Sequence, residues 1–277
     1  MIADLVAVSV WSEAARAQGE RIALVPTMGA LHSGHLSLLA EGRRRAQKLV
    51  LSIFVNPMQF GPQEDLAKYP RDLAGDLAKA ASVGCDLAFV PEAASMYGRG
   101  YQTAIDVREV SQGLCGARRP GHFTGVATVV CKFFNIVRPH VALFGEKDFQ
   151  QLTVIRRMVT DLNLPVEIVG LPTVREPDGL AMSSRNAYLS PADRQRATAL
   201  YAGLSTAKAL ADRGERRASV LIEAATAEIA GRVDRLDYLE LRAADDLKPL
   251  QTIDRTAVML VAAFVGKTRL IDNLRLG

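Results

Sequence analysis

Two histidines three residues apart are the side chains of this sequence best placed to do chemistry. His32 and His35 lie in the run PTMGALHSGH (residues 26–35), between an apolar stretch and an amphipathic one that begins at Leu36. A strand followed by a helix is expected there, and a helix N-terminus offers backbone N–H groups and a positive dipole end to an anion. Imidazole N–H groups can stabilise charge on a phosphate oxygen. The run predicts a nucleotide-phosphate site, and two ordinary surface histidines at a turn are the alternative.

Polar side chains also follow the apolar stretch at residues 49–55. Asn56 and Gln59 stand there among apolar neighbours. Neutral donors and acceptors within an apolar lining suit a small hydroxy acid with a branched body. Taken alone, the motif is more typical of a polar loop capped by core residues.

A third motif follows the apolar stretch at residues 141–144. Lys147 is placed to hold phosphate oxygens, and Asp148 is placed to cap the next helix or to help hold a metal ion. Gln151 follows Lys147 by one helical turn, which predicts that both face the same side. Solvated charges around a helix cap are the alternative.

Two further groups carry charge. Ser183, Ser184 and Arg185 follow a glycine and predict a mobile phosphate clamp, with an interdomain linker as the alternative. Arg119 and His122 are expected either at the rim of the active site or at the start of a helix, and the sequence leaves this open.

Alternating apolar stretches and helical patterns indicate how these motifs are positioned. Buried strands separated by helices favour a parallel sheet, an α/β fold of the doubly wound, Rossmann-like type, over residues 1–175. A smaller α+β domain with a lid role is expected over residues 176–277. The predicted strands are residues 22–25, 49–55, 86–90, 104–107, 141–144, 166–169, 236–241, 257–265 and 269–273, and the predicted helices are residues 36–46, 71–83, 125–137, 150–162, 190–211 and 218–230.

Composition narrows the function classes. The 277 residues are 49% hydrophobic and 23% charged, with a net charge of +4 whose cations are dispersed, so nucleic-acid binding is disfavoured. The longest apolar run, residues 258–265, is too short to span a bilayer, and no signal peptide is recognised. Three widely separated cysteines indicate neither a zinc site nor a disulfide framework. A cytoplasmic protein without a membrane partner is expected.

In this order and spacing, the motifs resemble the pantothenate synthetase (pantoate–β-alanine ligase) family. The resemblance extends over residues 26–273 and includes RPGHF at residues 119–123 and LIDN at residues 270–273. HSGH at residues 32–35 is similar to the HIGH signature of the nucleotidyltransferases, and MSSR at residues 182–185 is similar to their mobile KMSKS loop.

The resemblance implies a reaction and a set of site residues. It implies that (R)-pantoate and β-alanine are joined at the expense of ATP, through a pantoyl adenylate, by a Mg²⁺-dependent homodimer. His35, the implied proton donor, would be catalytic together with His32, Lys147 and Arg185. Gln59 would contact pantoate and β-alanine, and Gln151 would contact pantoate. The implied ATP contacts are Met28, Gly29, Ala30, Leu31, His32, Ser33, Gly34, His35, Gly145, Glu146, Lys147, Asp148, Val174, Met182, Ser183, Ser184 and Arg185.

Two other functions compete with the ligase. An adenylyltransferase of the same superfamily would release pyrophosphate without forming AMP in a β-alanine-dependent step. A basic nucleotide- or RNA-binding module would bind RNA in a salt-sensitive manner, and the 6% aromatic content without an interleaved basic face argues against it.

Overall fold

The computed structural model describes residues 1–62 and 64–277, which form two compact units. The N-terminal unit comprises residues 1–146 and 154–172. The C-terminal unit comprises residues 147–153 and 173–277. Each unit has its own sheet.

A five-stranded parallel sheet forms the centre of the N-terminal unit. Its strands are β1 (Ile22–Thr27), β2 (Lys48–Ile53), β3 (Leu87–Phe89), β4 (Val141–Gly145) and β5 (Glu167–Leu171). They lie in the order β3–β2–β1–β4–β5. The inner strands are buried along almost their whole length, which explains their continuous apolar sequences. Because the strand order reverses between β1 and β4, the ends of these two strands mark the usual ligand position of a doubly wound sheet. The predicted α/β class is confirmed.

Seven α-helices belong to the described residues of this part of the chain. They are α1 (Leu5–Ala17), α2 (Ser33–Arg45), α3 (Leu73–Ser82), α4 (Ala93–Met96), α5 (Leu114–Arg118), α6 (His122–Val137) and α7 (Phe149–Asp161). Helices α2, α3, α6 and α7 lie at the predicted places, whereas α1, α4 and α5 were not predicted. Gly42 lets α2 approach the sheet closely, since a Cβ there would lie 2.8 Å from Leu49 Cδ1. No helix in the described part of the chain is long and apolar enough to cross a membrane.

Helices and an antiparallel sheet form the C-terminal unit. The helices are α8 (Pro191–Ala197), α9 (Ala199–Asp212) and α10 (Ala218–Ile229), and the sheet consists of β6 (Arg235–Ala243), β7 (Ala257–Val265) and β8 (Thr268–Leu276) in that order. Its apolar core includes Leu204, Leu221 and Met259, all fully buried. Gly203 permits close packing of α9 on α10, because a Cβ there would lie 2.7 Å from the Ala225 carbonyl oxygen.

Two predicted elements were wrong. Residues 104–107 form no strand, because the Ile105 N–H is bound at 2.9 Å by Thr128 Oγ1 on α6 instead of by a neighbouring strand. The single helix predicted over residues 190–211 is two helices separated at Thr198, whose hydroxyl donates to the Gln195 carbonyl at 2.7 Å.

Candidate active site

His32 and His35 together cap the N-terminus of α2. His32 is the N-cap residue, and its Nδ1 accepts the Gly34 N–H at 3.1 Å. His35 Nδ1 accepts the His32 N–H at 3.4 Å, and the two ring centroids are 4.1 Å apart. A neutral imidazole whose Nδ1 accepts carries its proton on Nε2. Both histidines therefore present an Nε2–H donor at the positive end of the α2 dipole.

A buried carboxylate holds the loop that leads into this cap. Asp76, on α3, is 1% exposed and accepts the N–H groups of Ala30 at 2.8 Å and Leu31 at 2.6 Å. Lys79 Nζ donates to the Leu31 carbonyl at 2.8 Å. A Cβ on Gly29, whose φ is +84°, would lie 2.9 Å from Asp76 Oδ2. Helix α3 thus fixes a loop predicted to bind ATP. Asp76 was not among the site residues predicted from the sequence, where its signal is an acid four residues before the buried Ala80.

Gln59 is held by a buried network at the end of β2. Asn56 Nδ2 donates to Gln59 Oε1 and to the Gly125 carbonyl, both at 3.1 Å. Asn56 Oδ1 accepts the Tyr97 hydroxyl at 2.7 Å, and burial raises the pKa of Tyr97, so this hydroxyl stays a donor. Gln59 Nε2 lies 3.2 Å from Met28 Sδ. The structure thus brings together a predicted acid contact and a predicted ATP contact.

Arg119 and His122 support the main chain of Gln59. Arg119 Nη1 lies 3.0 Å from His122 Nε2, and a guanidinium only donates, so Nε2 accepts. The proton of His122 is then on Nδ1, which donates to the Gln59 carbonyl at 2.9 Å. Arg119 also binds both carboxylate oxygens of Glu64, at 2.7 and 2.6 Å. Burial acts to raise the pKa of Glu64, but the bonds to Arg119 outweigh it and the pKa is lowered.

Close packing of α6 against the Gln59 turn completes this support. Gln59 ends the 3-10 turn Pro57–Gln59. A Cβ on Gly125 would lie 2.7 Å from the Gln59 nitrogen, so only glycine permits this approach. The first turns of α6 therefore determine where the Gln59 side chain begins.

The remaining predicted contacts are divided between the two units. Gly145 and Glu146 are at the end of β4 in the N-terminal unit. Lys147, Asp148, Gln151, Val174 and residues 182–185 belong to the C-terminal unit. There, Lys147 Nζ lies 3.7 Å from Asp148 Oδ2, and the half-buried Gln151 is on the first turn of α7.

The serine–arginine segment begins a short turn. Ser183 caps the 3-10 turn Ser184–Tyr188, and its Oγ accepts the Arg185 N–H at 3.2 Å. Ser184 and Arg185 are half-buried. Before this turn, the Met182 N–H donates to the Val174 carbonyl at 3.0 Å, which closes a hairpin over residues 174–182. The hydroxyl of Ser183 thus has a local structural role in addition to its predicted contact with ATP.

Mg²⁺ is the metal that the resemblance implies. Within residues 1–62 and 64–277, no three His, Cys, Asp or Glu side chains converge as metal ligands. Mg²⁺ does not need a cage of protein ligands, because it commonly uses one or two carboxylates together with water and phosphate oxygens. Asp148 is the carboxylate next to Lys147 that is suited to this.

Comparison with known proteins identifies the family. The family model for pantoate-beta-alanine ligase matches residues 1–275. A pantothenate synthetase of Myxococcus xanthus is 59% identical over 270 residues, covering 96% of this chain and 92% of that protein. One of Geotalea daltonii is 55% identical over 267 residues, covering 96% and 95% of the two chains.

Solved structures show the same fold. The pantothenate synthetase of Thermus thermophilus superposes with a TM-score of 0.93 at 44% identity, covering 99% of this chain and 98% of that one. The pantoate-beta-alanine ligase of Francisella tularensis, complexed with beta-gamma ATP and beta-alanine, gives a TM-score of 0.83 at 32% identity, covering 99% and 96%. The chain described here belongs to the pantoate–β-alanine ligase family of enzymes.

Proposed function

We propose that this enzyme condenses (R)-pantoate with β-alanine through a pantoyl adenylate, with ATP as the energy source and AMP and pyrophosphate as by-products. The observation that carries the proposal is the double histidine cap of α2, with an Nε2–H donor on each ring. The Francisella relative bound to beta-gamma ATP and beta-alanine supports the choice of two of the substrates.

The first step would form the adenylate. A carboxylate oxygen of pantoate attacks the α-phosphorus, and the bond from that phosphorus to the bridging oxygen breaks as pyrophosphate leaves. Negative charge grows on the α-phosphoryl and pyrophosphate oxygens. His32, His35, Lys147 and Arg185 are the groups we assign to stabilising it. Removing one such donor typically costs about 3–4 kcal/mol of transition-state stabilisation. We assign His35 a hydrogen bond to phosphate and not full proton transfer.

The second step would form the amide bond. The β-alanine amine attacks the acyl carbon, its proton passes to solvent or phosphate, and AMP leaves. This step needs no enzyme nucleophile, since position alone can supply about 7–11 kcal/mol. We assign Gln59 to both acids and Gln151 to pantoate. The buried network around Gln59 supports its role, because it fixes the start of the side chain.

Mg²⁺ would enter with ATP, where it neutralises phosphate charge, and Asp148 is the residue we assign to it. Five features stay predictions: the ATP contacts implied by the resemblance, the homodimer, the cytoplasmic location, the domain division after residue 175, and the lid role of the second domain.

A single assay that follows AMP and pyrophosphate together tests the proposal. With ATP, pantoate and β-alanine, we expect equal amounts of AMP, pyrophosphate and pantothenate. With β-alanine omitted, one equivalent of pyrophosphate per active site and no sustained AMP release are expected. Multiple turnovers of pyrophosphate release at a rate that does not depend on β-alanine would instead indicate an adenylyltransferase. If RNA competes with ATP and pantoate does not, the protein would instead be a nucleotide- or RNA-binding module.

A further inference from the structure

Two successive residues of β8, Asn273 and Asp272, bind the main chain of Lys147 and the side chain of Arg175, respectively. The first contact is made by Asn273, which is 6% exposed and whose Nδ2 donates to the Lys147 carbonyl at 2.9 Å. Lys147 and Asn273 are 126 residues apart in the sequence. The hydrogen bond therefore ties the main chain of the proposed phosphate-binding lysine to a strand of the antiparallel sheet.

The neighbouring residue, Asp272, holds Arg175 in a buried ion pair. Arg175 Nη1 and Nη2 bind the two carboxylate oxygens of Asp272 at 2.7 and 2.9 Å. The side chains are 16% and 2% exposed. Such a two-point contact fixes the plane of the guanidinium as well as its position. Arg175 is thus immobilised by β8.

Arg175 in turn organises the hairpin that leads into residues 182–185. Its Nη1 donates to the Gly179 carbonyl at 3.0 Å across the hairpin, and its main chain pairs with Ala181. The guanidinium carbon lies 3.9 Å from the centre of the Tyr201 ring. Gly179 has a φ of +91°, and a Cβ there would lie 2.9 Å from Cε1 of the same ring. The hairpin is packed tightly around Arg175, and Met182 is its last residue.

We propose that Asp272 and Asn273 form a positioning brace that sets the Lys147 main chain and the Met182–Arg185 segment relative to each other. The inference rests on the proposed function, because it assigns both segments to ATP. Neither residue of the brace touches the reacting atoms. Its effect is to keep two cationic groups, Lys147 and Arg185, in one arrangement while charge develops during pyrophosphate release. Misplacement by about 1 Å can cost about 100-fold in rate.

Three substitutions that preserve side-chain shape test the brace. Asp272→Asn removes the charge that holds Arg175, and Asn273→Asp removes the donor to the Lys147 carbonyl. The control is Asp237→Asn, which breaks another buried ion pair of the same sheet, Asp237 Oδ2 to Arg269 Nε at 2.9 Å, with side chains 8% and 18% exposed. All three variants are measured for thermal unfolding and for pantoate-dependent pyrophosphate release at saturating ATP.

We expect Asp272→Asn and Asn273→Asp to lower the rate of pyrophosphate release at least about tenfold, with the pantoate KM near its wild-type value. Asp237→Asn should unfold at a lower temperature and keep its turnover. Turnover in both brace variants equal to that of Asp237→Asn would overturn the inference. If Asp272→Asn does not fold, Asn273→Asp, which leaves the ion pair intact, decides. A wild-type enzyme without pantoate-dependent pyrophosphate release would overturn the proposed function and the brace with it.

Discussion

His35 closes the cap of α2 through Nδ1, which accepts the His32 N–H at 3.4 Å. The contact gives the two nitrogens of this imidazole ring different roles. Nδ1 stabilises the helix start by satisfying a backbone donor. The proton of the neutral ring is then on Nε2, which we assign to a phosphate oxygen. The two roles can be separated by substitution. An asparagine amide lies near the position of Nδ1 and keeps the cap, whereas a glutamine amide reaches the position of Nε2 and keeps the donor.

We expect His35→Asn to retain the cap and to lose about 100- to 1,000-fold in the rate of pyrophosphate release. His35→Gln should retain more activity than His35→Asn, since its amide places a donor near the position of Nε2. Single-turnover measurements of pyrophosphate and thermal unfolding of both variants check this. Greater activity in His35→Asn than in His35→Gln would contradict the assigned role of Nε2.

Asp76→Asn should loosen the loop that precedes the cap. The two carboxylate oxygens of Asp76 accept one N–H group each, from Ala30 and Leu31. An asparagine has one acceptor oxygen, so its NH2 group would face the second N–H group, donor against donor. We expect the free energy of unfolding to fall by about 1.5–3 kcal/mol and the KM for ATP to rise more than that for pantoate. Asp72→Ala, which removes the N-cap of the same helix at about 1 kcal/mol, is the control and should leave the KM for ATP unchanged.

Gly125→Ala should move the turn that carries Gln59. The added methyl group collides with the main chain of that turn, so either α6 or the turn must shift. We expect a stability loss of about 1–3 kcal/mol and a raised KM for pantoate. Gly98→Ala is the matched control, since its methyl group meets nothing closer than the Ala94 carbonyl oxygen at 3.7 Å. An unchanged KM for pantoate in Gly125→Ala would show that the turn does not position the acid.

The parallel sheet could be predicted from the sequence because strands buried on both faces leave continuous apolar stretches. Residues 104–107 are apolar except for Asp106, yet the Ile105 N–H is bound by the side chain of Thr128 and no strand forms. Which partner satisfies an N–H group depends on the tertiary structure. The same limit explains the missed break at Thr198, where a hydroxyl competes for a helix carbonyl.

The position of His32 and His35 at a strand-to-helix junction could also be predicted, since it is local in sequence. Their tautomers could not be predicted, because these depend on which ring nitrogen accepts a main-chain N–H group in the folded structure. The supports of the site are more distant still. Asp76 is 45 residues from Leu31 and His122 is 63 residues from Gln59, and only the folded topology brings them together.

Gln151→Ala should raise the KM for pantoate far more than the KM for ATP. The half-buried Gln151 lies on the first turn of α7, and we assign its amide to the acid and not to the nucleotide. Steady-state kinetics with each substrate varied in turn check this. Thr160→Ala, which truncates an exposed side chain of the same helix, should change neither constant. Equal rises of both constants in Gln151→Ala would mean that the acid is bound elsewhere.

Glu64→Gln should change the acid stability of the protein, because the bonds to Arg119 lower the pKa of Glu64 below its ordinary value of 4.5. A lowered carboxyl pKa contributes stability that is present above the ordinary value and is lost as the pH falls toward the folded-state pKa. At neutral pH we expect the free energy of unfolding of the variant to be lower by about 1–2 kcal/mol. This value lies between those typical of an exposed ion pair and of a buried hydrogen bond to a charged group. The difference should shrink in urea unfolding as the pH falls below 4.5, the ordinary pKa of a glutamate. Glu13→Gln, which breaks an exposed pair with Arg138, should match the wild type throughout. A difference that stays constant with pH would show that the Glu64 charge contributes nothing to holding Arg119.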